Sequence, residues 1–115
     1  MADDKIKLIK EDFAKCQKIL LAIGDETRQA IIMTLMEVTC ASGLRVGEIK
    51  ERTHLSRPAV SHHLKVLLEA GIIMVRKEGT MNFYFIDVRS KLILMKNLIR
   101  HIDELLVTHE SSVDN

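Results

Sequence analysis

Between positions 57 and 65 the chain gathers side chains suited to reading an anionic, hydrogen-bonding surface. Arg57 carries a planar fork that can bond guanine O6 and N7 together, a pairing worth about 1–3 kcal/mol of discrimination between bases. Ser61 can bond a base edge or a phosphate, and His62 a base or a phosphate oxygen. Ala59 is small enough to let a groove approach. Lys65, with Lys50 eight residues upstream of Pro58, would neutralise phosphate. Farther on, Arg76, Lys77, Thr80 and Asn82 form a second polar group suited to minor-groove or backbone contacts. The chemistry these residue types offer is non-covalent recognition of double-stranded DNA. Adjacent histidines on a helix do not face each other, so His62 and His63 do not make a metal site. One step round the helix, His63 is 100° nearer the apolar side and reads as structural.

The element that must present the first group is Leu55–Gly71. Val60, Leu64, Leu67 and Leu68 recur at helical spacing and predict a helix seated on a core. Ser56 is its N-cap, at the same end as the DNA-facing residues. Pro58 falls in the first turn, and Gly71 ends the helix. Before it, Arg45–Thr53 predicts a short helix with Val46 and Ile49 inward, joined by a tight turn. Residues 45–70 therefore have the form of a helix-turn-helix. After Gly71 the period changes. Ile72–Arg76 and Met81–Ile86 are rich in β-branched and aromatic residues, and Lys77–Thr80 predicts the turn between them. Residues 72–87 thus form a hairpin wing behind the recognition helix.

Long helices flank this core. From Ile6 to Ile23 the residues Ile6, Ile9, Phe13, Cys16, Leu20 and Ile23 step by threes and fours, and Gly24 ends the run. Asp25 caps a second helix over about Glu26–Val38, followed by a loop at Thr39–Leu44. Near the end, Val88, Leu92, Met95, Ile99, Ile102 and Leu106 form a second heptad-like stripe over 88–107. The expected fold is a single domain, 1–115, mainly α with an α/β winged helix. It has about five helices, a two-stranded wing and a three-helix DNA-binding core. Helices 6–23 and 88–107 would pack across a two-fold axis, making Ile9, Phe13, Cys16, Leu20, Leu92, Met95, Ile99, Ile102 and Leu106 the homodimer interface. The tail from Glu110 to Asn115 is expected to fray.

Composition agrees with a folded globular protein. The 115 residues are 47% apolar with one Pro and no Trp, and the net charge is +1. Charge is unevenly spread: residues 1–44 sum to −1, 45–82 to +3 with three of the five His, and 83–115 to −1. The basic middle is the part expected to meet phosphate. No run approaches the roughly 18–20 apolar residues that span a bilayer, and no secretory leader is apparent, so a cytoplasmic protein without membrane contact is expected. Two Cys give no disulfide framework. Without a nucleophile–base pair, a Gly-rich phosphate loop or paired carboxylates, no enzyme is expected. A winged-helix module that docks a protein is the alternative, against which the basic Arg57, Lys65, Arg76 and Lys77 argue.

The run Leu-Ser-Arg-Pro-Ala-Val-Ser-His-His-Leu-Lys-Val-Leu-Leu-Glu-Ala-Gly-Ile-Ile resembles the recognition-helix motif of the ArsR/SmtB family of transcriptional repressors. Gly24-Asp25-Glu26-Thr27-Arg28 is similar to that family's upstream helix opening, and Arg76–Phe85 to its wing. The resemblance covers about Leu20–Asp87. It implies a homodimer on an inverted-repeat operator, released by an inducer, with Ser61 and His62 as the Ser-His pair of the DNA face.

Where family members that sense soft metals carry Cys-x-Cys, this chain has Leu44-Arg45-Val46-Gly47-Glu48. Where zinc-sensing members carry Asp-x-His and a later His-x-x-His or His-x-x-Glu, it has Asp87, Arg89, Arg100 and Asp103. Arginine cannot lose its proton to become a ligand. No cofactor or metal is therefore expected, and Arg89 and Arg100 are expected to pair with Asp87 and Asp103 across the dimer. His101, His109 and Glu110 would be a shifted alternative, although exposed terminal histidines are usually solvated. Cys16 and Cys40 leave a thiol-responsive repressor as a further alternative. Buried Cys is most often a small hydrophobe.

Overall fold

The computed structural model describes residues 2–113, with side chains through residue 109. The elements in order are α1 (Ala2–Ile23), α2 (Glu26–Met36), α3 (Val46–Thr53), α4 (Arg57–Glu69), β1 (Ile73–Glu78), β2 (Met81–Ile86) and α5 (Arg89–Val113). The expected winged helix is present. Residues 2–17 and the α5 region form one compact unit, and residues 18–88 form a second.

In the second unit local chemistry sets each boundary. Gly24 closes α1 with an N–H bond to Leu20 O (3.0 Å). Asp25 caps α2 by accepting from the Arg28 N–H at 2.9 Å. This helix ends at Met36, so Val38 lies in a turn, its N–H on Leu35 O. Glu48 accepts from the Arg45 N–H (3.0 Å) at the start of α3. The turn into α4 is made by His54 in the left-handed region, φ +59°. Ser56 Oγ accepts from the Ala59 N–H (3.2 Å), with Pro58 in the first turn of α4.

The two strands pair antiparallel from Ile73↔Ile86 to Glu78↔Met81. The strand thus runs two residues past Arg76, and only Gly79 and Thr80 make the turn. Gly79, at φ +63°, supplies the positive φ that so tight a hairpin requires. Leu44 extends the sheet by one residue, exchanging two 2.8 Å backbone bonds with Tyr84. Ile31, Leu35, Leu44, Ile49, Val60, Leu64, Leu67, Ile72 and Ile73 fill the core beneath.

Along α1 and α5 the heptad expectation needs correcting. Ile9 and Cys16 are buried in the chain's own interior and are not available to a partner, while Leu20, Met95 and Ile102 are half-buried. Phe13, Leu92, Ile99 and Leu106 stand 47%, 41%, 64% and 54% exposed. Along α5 the inward face is Leu94, Leu98, His101 and Leu105, one residue round from the expected stripe. The reason is that α5 is apolar on more than one side, so a single stripe under-describes it. It continues as helix beyond Val107 to Val113, against the expected fraying from Glu110; residues 114–115 and the Glu110 side chain lie outside the described residues. His101 corrects the sequence reading again. Its Nδ1 lies 2.5 Å from Asp12 Oδ2, with the two side chains only 12% and 8% exposed. Lys5 pairs with Glu104 nearby.

Candidate nucleic-acid interface

The helix α4 divides as its sequence predicts. Val60, Leu64 and Leu67 are buried against the core, and Arg57, Ser61, His62 and Lys65 are exposed on the other side. Ala59 is half-buried, and Ser56 is exposed with its oxygen engaged in the cap. Lys50 projects from α3 into solvent. His63 is half-buried and faces inward, with the Arg28 guanidinium 3.3 Å from its Nδ1. Burial pushes the pKa of His63 below its ordinary 6.5; Arg28 and His62 push the same way, and Asp25 opposes them. The rings of His62 and His63 meet edge-on, centroids 5.3 Å apart.

Between the start of α3, the start of α4 and the wing lies an open cleft of about 690 Å³. Arg57, Thr80 and Asn82 line it together, so residues from two separately predicted groups converge there. Arg45, Glu48 and Glu51 complete its polar lining. Arg45 was not singled out in the sequence, although its place three residues before Glu48 marks a helix start.

One member of the wing group makes its bonds within the chain. Arg76 is half-buried, donates to Cys40 O (2.9 Å) and Ser42 O (3.3 Å), and bonds Glu78 Oε1 at 3.0 Å. Its guanidinium also lies over the rings of Phe83 and Phe85, 5.2 and 6.0 Å from their centroids. These bonds hold loop 39–43 to the wing. Lys77, Thr80 and Asn82 remain exposed.

The expected sensing residues are dispersed within the chain. Arg100 approaches Glu104 (3.8 Å), and among the described residues no ion pair joins Asp87, Arg89 or Asp103. No three His, Cys, Asp or Glu side chains come together among those residues. His109 is exposed. Cys40 is exposed, its Sγ 3.1 Å from Ile86 O. Cys16 is buried, and burial with the nearby Asp12 charge raises its thiol pKa, which suppresses the reactive thiolate.

Known proteins resemble this chain in sequence and fold. Residues 25–75 match the family described as bacterial regulatory protein, arsR family. An HTH-type transcriptional regulator of Methanocaldococcus jannaschii is 40% identical over 96 residues, covering 83% of this chain and 99% of the relative. The solved structure of HlyU from Vibrio cholerae is 32% identical with a TM-score of 0.58, covering 71% of this chain and 86% of that one. An ArsR-like regulator from Rhodococcus superposes with a TM-score of 0.72 over 89% of this chain and 93% of that one; at 22% identity it speaks for the fold alone. The matched segment opens at the cap of α2 and runs through α4 into β1, the stretch that builds and seats the recognition helix. The chain belongs to the arsR family and is a DNA-binding transcriptional regulator.

Proposed function

We propose that this regulator is a homodimeric repressor that docks α4 in the major groove of an inverted-repeat operator, with the wing on the adjoining minor groove or backbone. The observation that carries this is the shared cleft. Arg57 at the start of α4 and Thr80 and Asn82 on the wing face one space, so one duplex strand can be gripped from both sides. In this reading Arg57 contacts guanine, and Ser61 and His62 contact a base edge or phosphate. Ala59 lets the groove close in, while Ser56 presents the helix end. Lys50, Lys65 and Lys77 neutralise phosphate, and Arg45 joins them.

The two-fold partner is a second copy of the chain. The exposed residues Phe13, Leu92, Ile99 and Leu106 on the two long helices are its contact surface. Within that dimer Arg89 and Arg100 would stand against Asp87 and Asp103 as fixed pairs, leaving those positions without a metal or other cofactor. Its action is on cytoplasmic DNA, and no catalytic step is assigned to any residue. Among the described residues no helix is long and apolar enough to cross a membrane.

The test is binding to the DNA upstream of the chain's own coding sequence, followed by fluorescence anisotropy from 50 to 300 mM salt. Salt-dependent affinity that falls at least tenfold in Arg57→Ala, with unchanged thermal stability, is expected. Binding that ignores both salt and Arg57 would point to a protein-docking module. In sedimentation, Ile99→Glu should convert dimer to monomer.

A further inference from the structure

We propose that Arg28 is a positioning residue for the recognition helix: its guanidinium ties the end of α1 to the neutral ring of His63, and the tie releases when that ring takes a proton. Arg28 closes the segment Gly24-Asp25-Glu26-Thr27-Arg28, whose Asp25 caps α2 through the Arg28 N–H. The side chain then reaches away from its own helix. Its Nε donates to Ala22 O at 2.7 Å and its NH2 to Leu21 O at 3.1 Å, two carbonyls of the last turn of α1. Such carbonyls have no partner farther along their own helix. The remaining nitrogen, NH1, lies 3.3 Å from His63 Nδ1.

A guanidinium donates and never accepts. His63 Nδ1 must therefore hold the lone pair, with the ring proton on Nε2. Protonating Nδ1 would set N–H against N–H and one cation against another. The charged and titratable groups facing His63 are Asp25, the cap of α2, Arg28 of α2 and His62 beside it on α4. Asp25 alone favours the protonated ring. Burial, Arg28 and His62 all oppose it, so the tie is intact at neutral pH and is lost on acidification. The edge-on contact between the two histidine rings carries the disturbance to His62, an exposed residue of the DNA-facing side. By linkage, DNA that selects the tied pose of α4 also expels the proton from His63.

This inference rests on α4 being the helix that meets DNA, and its test has one arm without DNA. Long-range 1H–15N spectra of the free chain at pH 7.5 should show His63 as the Nε2–H tautomer; the Nδ1–H tautomer would overturn the tie. In the second arm, anisotropy with the upstream duplex is compared at pH 7.5 and 5.5. Wild type should lose more affinity than His63→Gln, which keeps an acceptor but cannot protonate, with about tenfold as the ceiling because a pKa held below 6.5 leaves less than one pH unit of protonation by pH 5.5. The histidines away from His63 are common to both chains and cancel. Arg28→Lys should bind more weakly at pH 7.5 and lose the His63 contribution to the profile. An identical pH dependence in wild type and His63→Gln would also overturn the proposal. Absence of any salt-dependent binding by wild type at pH 7.5 would instead refute the DNA reading of α4, and the tautomer would still decide the tie.

Discussion

Replacing Arg76 by Met separates a structural cation from a DNA-binding one. The substitution keeps the aliphatic stem and removes the charge and every donor. Two bonds to loop carbonyls are lost, one short (Cys40 O, 2.9 Å) and one long (Ser42 O, 3.3 Å). Charged hydrogen bonds are worth about 1.5–3 kcal/mol when buried. These carbonyls can regain water, so about 1 kcal/mol for the pair is the appropriate scale. The stacked rings of Phe83 and Phe85 add about 0.5–1 kcal/mol. The exposed Glu78 pair adds at most a few tenths. The total is about 2 kcal/mol, equivalent to a fall in Tm of roughly 8 °C for a chain of this size. Circular dichroism measures that term, and the slope of log affinity against log salt measures the other. The slope should not change in Arg76→Met, because no phosphate loses a counter-charge. Lys77→Ala should do the reverse, flattening the slope by about one phosphate and leaving Tm alone. An Arg76→Met chain of unaltered Tm whose salt slope drops by about one would refute the assignment and return Arg76 to the DNA surface.

Other consequences can be measured on the same protein. Gly43→Ala should cost at least about 1–2 kcal/mol in denaturant unfolding: φ is +59°, and a Cβ would sit 3.0 Å from Tyr84 O and 3.1 Å from Phe83 Cβ. With a maleimide reagent, Cys40 should label in the native state and Cys16 only on unfolding; equal rates would refute the buried, protonated thiol. The His63 pKa is lowered on folding, so the unfolded chain takes a proton that the folded chain refuses. Stability should be full above pH 6.5 and fall below it, and His63→Gln should remove this part of the acid sensitivity. A calorimetric titration with zinc should give no tight binding, since Arg89 and Arg100 cannot be ligands and His101 is engaged with Asp12.

The recognition helix was legible because its signals are local. A serine cap, a proline in the first turn and an apolar stripe all lie within thirteen residues and agree. The wing was legible as a hairpin, but not the duty of its arginine. Side chains alternate across a strand, and only the register, with Arg76 opposite Phe83, decides that this cation meets rings and loop carbonyls. The long helices were legible as helices, while their inward faces were not. An apolar face wider than one stripe leaves a helix's rotation to tertiary packing, so the spacing alone does not separate the buried Ile9, Cys16 and Leu98 from their exposed apolar neighbours. The Asp12–His101 contact joins residues 89 positions apart and has no local signature. Arg28 stood inside a motif that marked a helix start, yet its three side-chain bonds reach two other helices.

The attachment of loop 39–44 to the hairpin has a thermodynamic corollary. A two-stranded hairpin alone is marginal in water. Here Leu44 pairs with Tyr84, Arg76 holds Cys40 and Ser42, and Cys40 reaches Ile86 O, so the same loop that leads into α3 braces both strands. A wing braced in this way is ordered beforehand, so under the proposed docking on DNA association need not meet the entropic cost of freezing it. Calorimetry of complex formation should accordingly lack the large negative heat-capacity change of coupled folding, and retain only the part that comes from apolar surface leaving water.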